Sequence, residues 1–211
     1  MFESIYDSPL VATALPCVAS IVVIAWAWRF GRVARAYATV FAIAIAADAY
    51  VNGPWTFVQS GTSAATAAGV FFVVLGDFRY FVVVEDCMQN AWKLPRAALW
   101  ALVTPVAAQL IRWRFPQIES DERSTFLVYE LLFFLLAAAV RIWRVPHAPL
   151  EKSARRATQF EIVMYATWIA ADVGLMTSGR DVFYGVRLIG NLMYYVALVP
   201  FMTRQLEKAR A

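Results

Sequence analysis

Charge is scarce in this sequence, and amines are scarcer still. Asp, Glu, Lys and Arg make up 16% of the 211 residues, against about 25% in soluble domains, which excludes a water-soluble globule. The only lysines are Lys93, Lys152 and Lys208, all in predicted loops or the tail. A retinal Schiff base needs a buried amine, so no cofactor is expected. The single histidine, His147, lies in a proline-flanked loop. That leaves no imidazole in an apolar segment to ligate zinc or act as a base, and neither a metal site nor a catalytic residue is expected. Cys17 and Cys87 fall at different depths, too far apart for a disulfide. The start, MFESIYDSPL, lacks the basic n-region of a secretory signal. The first apolar segment is therefore expected to be a retained helix with its N-terminus outside.

What is abundant is apolar surface: 61% of residues are hydrophobic and the mean hydropathy is +0.58. Seven stretches approach the roughly 20 apolar residues that cross a bilayer, near 8–28, 36–58, 64–86, 97–113, 124–142, 159–178 and 182–203. The sequence therefore predicts an all-α protein, a single membrane domain of seven transmembrane helices with no room for a soluble domain. The net charge of +4 comes from arginines and lysines in short loops on one side, not along one face. It reports topology rather than a nucleic-acid footprint. Arg29, Arg32 and Arg35 follow the first span, Lys93 and Arg96 the third, and Arg141, Arg144, Lys152, Arg155 and Arg156 the fifth. With Arg204, Lys208 and Arg210 in the tail, this puts the C-terminus inside. Trp26, Trp28, Trp55, Trp92, Trp113 and Trp143 lie near predicted span ends, as interfacial anchors do; Trp168 does not.

The chain also repeats itself. LGDFRYFVVV at 75–84 aligns without gaps to IGNLMYYVAL at 189–198, RFGRV at 29–33 matches RIWRV at 141–145, and IAAD at 45–48 recurs at 169–172. Spans one to three are thus repeated as spans five to seven: repeat one covers 8–86, repeat two 124–203, and a linker helix 97–113 inverts the second copy. Both copies then run the same way, about a pseudo-twofold axis along the membrane normal. This three-plus-one-plus-three arrangement resembles, at the level of architecture and with no family motif behind it, the SWEET sugar carriers and related PQ-loop proteins, and the microbial rhodopsins.

An ionisable side chain in the hydrocarbon region is costly, about 2.5–3.5 kcal/mol on insertion scales. Six are placed there: Asp48, Asp77, Arg79, Glu130, Asp172 and Arg187. Four acids face two bases, so two acids are either neutral or face water, a cation or a cationic substrate. Asp48 and Asp172 are repeat mates after paired alanines, and Trp168 shares a face with Asp172. Asp77 and Asn191 are mates near the midplane, with Tyr80 and Tyr194 one turn inward. The solute-binding candidates are therefore Asp77, Asn191, Trp168, Tyr80, Tyr194, Asp48 and Asp172. Glu130 and Arg187 are expected to form a structural ion pair, with Asp172 as an alternative carboxylate for Arg187. Glu85, Asp86 and Glu161 are assigned to solvated pairs with the loop arginines.

Together these features predict a carrier for a small polar or cationic solute, for which proton coupling would suit the surplus of acids. The competing readings are a seven-helix sensor, receptor or accessory subunit without transport, and an intramembrane hydrolase using Asp77 with Asp48 or Asp172. The expected partners are the lipid bilayer and a small solute, with no nucleic acid; a homo-oligomer is compatible with either membrane reading.

Overall fold

The computed structural model describes residues 1–58, 62–89, 93–115 and 122–210, apart from the side chains at 63, 66 and 122. Trp92 and most of the 115–121 connection lie outside them. The regular structure of the described residues is all helical, without a strand. A short α1 (Phe2–Tyr6) precedes α2 (Leu10–Ala27), α3 (Arg32–Val51), α4 (Ser63–Cys87), α5 (Lys93–Arg114), α6 (Glu122–Trp143), α7 (Glu151–Ser178) and α8 (Val182–Lys208). The seven helices α2 to α8 are long and apolar enough to cross a membrane. Apolar side chains stand exposed in mid-helix, such as Ile21 at 68%, Leu99 at 67% and Leu135 at 60%. So much exposed apolar surface is unusual for a soluble protein and fits helices apolar enough to face lipid.

Local chemistry sets the ends. Thr62 caps α4, its hydroxyl accepting from the Ala65 N–H at 3.2 Å, which satisfies one orphan donor of the first turn. The second span, expected to run to 58, stops at Val51. Asn52 turns its side chain back onto Asp48 at 2.7 Å, and Pro54, two residues on, has no N–H with which to continue the ladder. The sixth span starts at Glu151 rather than 159, because Glu151 pairs with Arg155 one turn on and supports a polar first turn that hydropathy ignores. It ends at Gly179, whose φ of 61° is the left-handed closure favoured by glycine.

Chain neighbours pack side by side: α2 on α3, α4 on α5, α5 on α6, α6 on α7, and α7 on α8. Across the bundle α4 packs on α7, and α8 on α2, α3 and α4, while α3 touches α4 only lightly. One end of the bundle, here the N-terminal face, carries α1 and the loops after α3 and α7. The other, the C-terminal face, carries the loops after α2 and α6 and the chain's end.

Toward the C-terminal face the described helices pack closely. Ala97, Ala101, Ala137, Ala154 and Ala157 are wholly buried, and small side chains of this kind let helix backbones approach. Glu85 and Asp86, expected as surface pairs, are buried. Arg144 Nη2 donates to Glu85 at 2.6 Å and Arg96 lies 3.4 Å from it; Lys93 donates to Asp86 at 2.5 Å, and Arg210 bonds the same carboxylate. Buried acids of this kind require such partners. Glu161 departs from the expectation altogether: it is 2% exposed, on α7, away from the loops.

Candidate functional site

Two prolines shape the opposite half. Pro16 in α2 and Pro200 in α8 each lack an N–H and crowd the carbonyl four residues back, at Ala12 and Val196. At both places the helix widens into a single π turn, Leu10–Ala14 and Met193–Ala197. Such turns recur at functional sites. Here both contribute to the wall of one cavity of about 240 Å³ that opens on the N-terminal face between α1, α2, α3 and α8. Tyr6 and Asp7 line its mouth side, Val11 and Ala12 one wall, and Asn52, Asn191 and Tyr195 its polar lining.

Behind that lining lies a connected polar network. Asn52 Nδ2 donates to Asp48 at 2.7 Å, and Tyr194 O–H donates to its other oxygen at 3.3 Å. Trp168 Nε1 donates to Asn191 Oδ1 at 3.0 Å. The Trp168 indole meets the rings of Tyr165 and Tyr194, each at a centroid distance of 5.3 Å. Tyr165 O–H donates to Asp77 at 3.2 Å, and Tyr129 from α6 donates to the same carboxyl. Arg79 lies over the Tyr194 ring at 3.9 Å, a cation–π contact.

Five of the sequence candidates, Asp48, Asp77, Trp168, Asn191 and Tyr194, thus fall in one network. Asp77 and Asn191 are joined through Tyr165 and Trp168, and no hydrogen bond links them directly. Trp168 lies three residues beyond Tyr165 on α7, about 4.5 Å nearer the N-terminal face. The two mates therefore bond different residues of α7. Tyr80 is elsewhere: it is fully buried, bonded to Thr158 at 3.0 Å and packed on Phe133. Asp172 is elsewhere too, bonded to Arg187. Arg187 Nη1 also lies 3.9 Å from Glu130, and its Nε donates to the Tyr6 hydroxyl at 3.0 Å. Of the aspartates named for the hydrolase reading, Asp77 and Asp48 share no hydrogen-bond partner and Asp172 bonds Arg187.

Through Tyr6 the Arg187 group also holds α1 against the cavity. The exposed Asp181 accepts the backbone N–H groups of Phe2 and Glu3, each at 2.9 Å. These bonds hold its carboxyl below the usual range, and they supply α1 with the N-terminal acceptor its own sequence lacks.

No family model, curated protein or solved structure matches this chain. The reading of the site therefore rests on its geometry.

Sequence reasoning missed Tyr129, Tyr165, Asn52, Tyr195 and Glu161. A signal for two of them was present: Glu161, Tyr165, Trp168 and Asp172 recur at intervals of four, three and four residues, a single helical face.

Glycine gives the network its close fit. A Cβ at Gly190 would stand 2.4–2.5 Å from the Trp168 indole, whereas one at Gly69 would meet nothing within 4 Å. Gly190→Ala is expected to displace Trp168 from Asn191 and lower stability by about 1–3 kcal/mol, the usual cost of overpacking. Gly69→Ala is expected to be neutral or stabilising, since Ala favours a helix interior over Gly. Thermal denaturation of both variants in one detergent checks the contrast.

Proposed function

We propose that the protein is a multi-pass carrier of the cell membrane for a small polar or cationic solute, with its N-terminal face outside and its C-terminal face in the cytoplasm. The observation that carries this reading is one-sided access. A cavity open on the N-terminal face leads to Asn191, Asn52 and, behind them, Asp48, while the described helices of the opposite half pack closely on one another. The orientation follows the loop arginines, which gather on the C-terminal face.

The repeat supplies the moving parts: α2–α4 against α6–α8, with α5 as linker. In support, the third helix of each triplet packs on the second helix of the other, α4 on α7 and α8 on α3. Each of these interfaces carries a hydrogen bond, donated by the second helix in one and by the third in the other. Tyr165 of α7 reaches Asp77 of α4, and Tyr194 of α8 reaches Asp48 of α3. Gly76 and Gly190, also mates, each make room for an aromatic, Tyr194 of the other triplet and Trp168 of the same one.

At the C-terminal face the contacts between triplets include ion pairs and a charged hydrogen bond. Glu85 of α4 holds Arg144 after α6, Asp86 holds Arg210 beyond α8, and Glu207 of α8 accepts the Gly31 N–H at 3.2 Å. Ion pairs exchange with water more readily than an apolar seam does, so they suit a gate that opens once the outer cavity has closed on its solute. A sensor that binds without transport is favoured by a different observation: α4 packs more extensively on α5 and α7 than on α3, which interlocks the triplets.

Proteoliposomes exposed to a panel of radiolabelled small amines and neutral polar solutes separate the two. Time-dependent accumulation of at least one solute, lost in Asp48→Asn, is the expected result. Saturable binding without accumulation would reassign the protein to the sensors, and absence of both would sink either reading.

A further inference from the structure

The midplane holds a charge that neither the cavity nor the gate uses. Arg79 is 2% exposed, and its Nε and Nη2 have no hydrogen-bond acceptor. Among the described residues no carboxylate lies within ion-pair distance of it. Across from it on α7, Glu161 is equally buried and its Oε1 has no donor. Tyr165 bonds Asp77 on one side of them and Thr158 bonds Tyr80 on the other, which sets this stretch of α7 against α4 at the level of both. A buried guanidinium and a buried carboxyl with idle hydrogen-bonding atoms are costly, unless something polar stands between them.

The surroundings narrow what that is. The groups around the pair are Tyr37 and Asp48 from α3, Asp77 and Tyr80 from α4, Tyr165 from α7 and Tyr194 from α8, with Tyr129 of α6 one step removed, behind Asp77. Three carboxyls thus share one guanidinium. Asp48 has Asn52 and Tyr194 as donors, and Asp77 has Tyr129 and Tyr165. These donors stabilise a negative charge on each. Glu161 alone depends on Arg79 for its counter-charge.

We propose that Glu161 is a proton-binding residue, reached by water and coupled through Arg79 to the solute seat. When Arg79 leans toward Asp77 and Asp48, the Glu161 carboxylate takes a proton from hydronium and becomes the neutral acid, releasing one water. When a cationic solute settles beside the aspartates, it repels Arg79 toward Glu161, which returns its proton to water. Solute and proton then exchange, one positive charge for one. The direction of exchange rests on the carrier reading above; the proton site does not.

The test needs no solute. Full-length protein carrying isotope-labelled glutamate, in lipid nanodiscs, is titrated with acid and base and followed by infrared difference spectroscopy of the carboxyl band. The expected result is a pH-dependent glutamate band that Glu161→Gln removes, while bands from Glu85 and Glu130 persist. If Glu161→Gln fails to fold, Glu161→Asp carries the same test, since aspartate is unlabelled and the band must vanish. If every pH-dependent glutamate band of the unaltered protein is unchanged in the variant, the proposal is overturned. The band without solute uptake removes the carrier reading alone, and uptake without the band removes the proton site alone.

Discussion

Replacing Arg187 by leucine is expected to cost about 3–5 kcal/mol of stability, the penalty of leaving a buried charge without its partner. Arg187 bonds Asp172, whose side chain is wholly buried, and its own side chain is 17% exposed, so water screens the pair little. Glu130 lies close behind at 3.9 Å, so the lone variant strands two carboxyls near each other. Arg187→Leu combined with Asp172→Leu is expected to recover much of the loss, because an apolar pair of similar volume replaces a buried ion pair at little cost. Denaturation of both variants in the same detergent checks the sign. A double variant no better than the single would mean that packing, not charge, is what Arg187 supplies. The single variant also removes the donor to Tyr6, so protease access to the segment before α2 should rise with it.

The seven helices were legible because hydropathy over roughly 20 residues is a strong signal. Their ends were less so, for reasons that differ from place to place. The end of α3 is set by Asn52 folding back on Asp48 ahead of Pro54, and the start of α7 by a Glu151–Arg155 pair. Each outweighs the average over a window. Glu85 and Asp86 lay where hydropathy suggests an aqueous loop. The loop arginines instead reach in to them and allow both acids to be buried.

The site was legible in identity more than in position. The repeat picked out Asp48, Asp77, Asn191 and Tyr194, and the face shared with Asp172 picked out Trp168. Mates in sequence occupy equal depths only if both helices keep the same register. Asp77 instead meets Tyr165, and Asn191 meets Trp168 one turn away. Tyr80 and Tyr194 separate in the same way, one toward Thr158 and Phe133 and the other toward Asp48. Tyr129 was not foreseeable from the repeat, since it comes from α6 and has no counterpart among the aligned words.

Asp77 offers the sharpest separation of structure from function. Its carboxyl receives two tyrosine hydroxyls, from Tyr129 and Tyr165, and is 1% exposed. Asp77→Leu is expected to strand both donors, at about 1–3 kcal/mol each, and to lower the melting temperature whatever the protein does. Asp77→Asn keeps one acceptor oxygen and adds an amide that a rotated tyrosine hydroxyl can accept, so it is expected to fold with little loss. It nevertheless removes the negative charge. If Asp77 helps to balance a cationic solute, Asp77→Asn should lose uptake or binding of the amines at least tenfold while its thermal midpoint stays near that of the unaltered protein. Neutral polar solutes in the same panel should be affected less, because they draw on hydrogen bonds rather than charge. An Asp77→Asn protein that is destabilised yet takes up amines normally would make the carboxyl a structural tie between α4, α6 and α7, and would move the seat outward to Asp48 and Asn191.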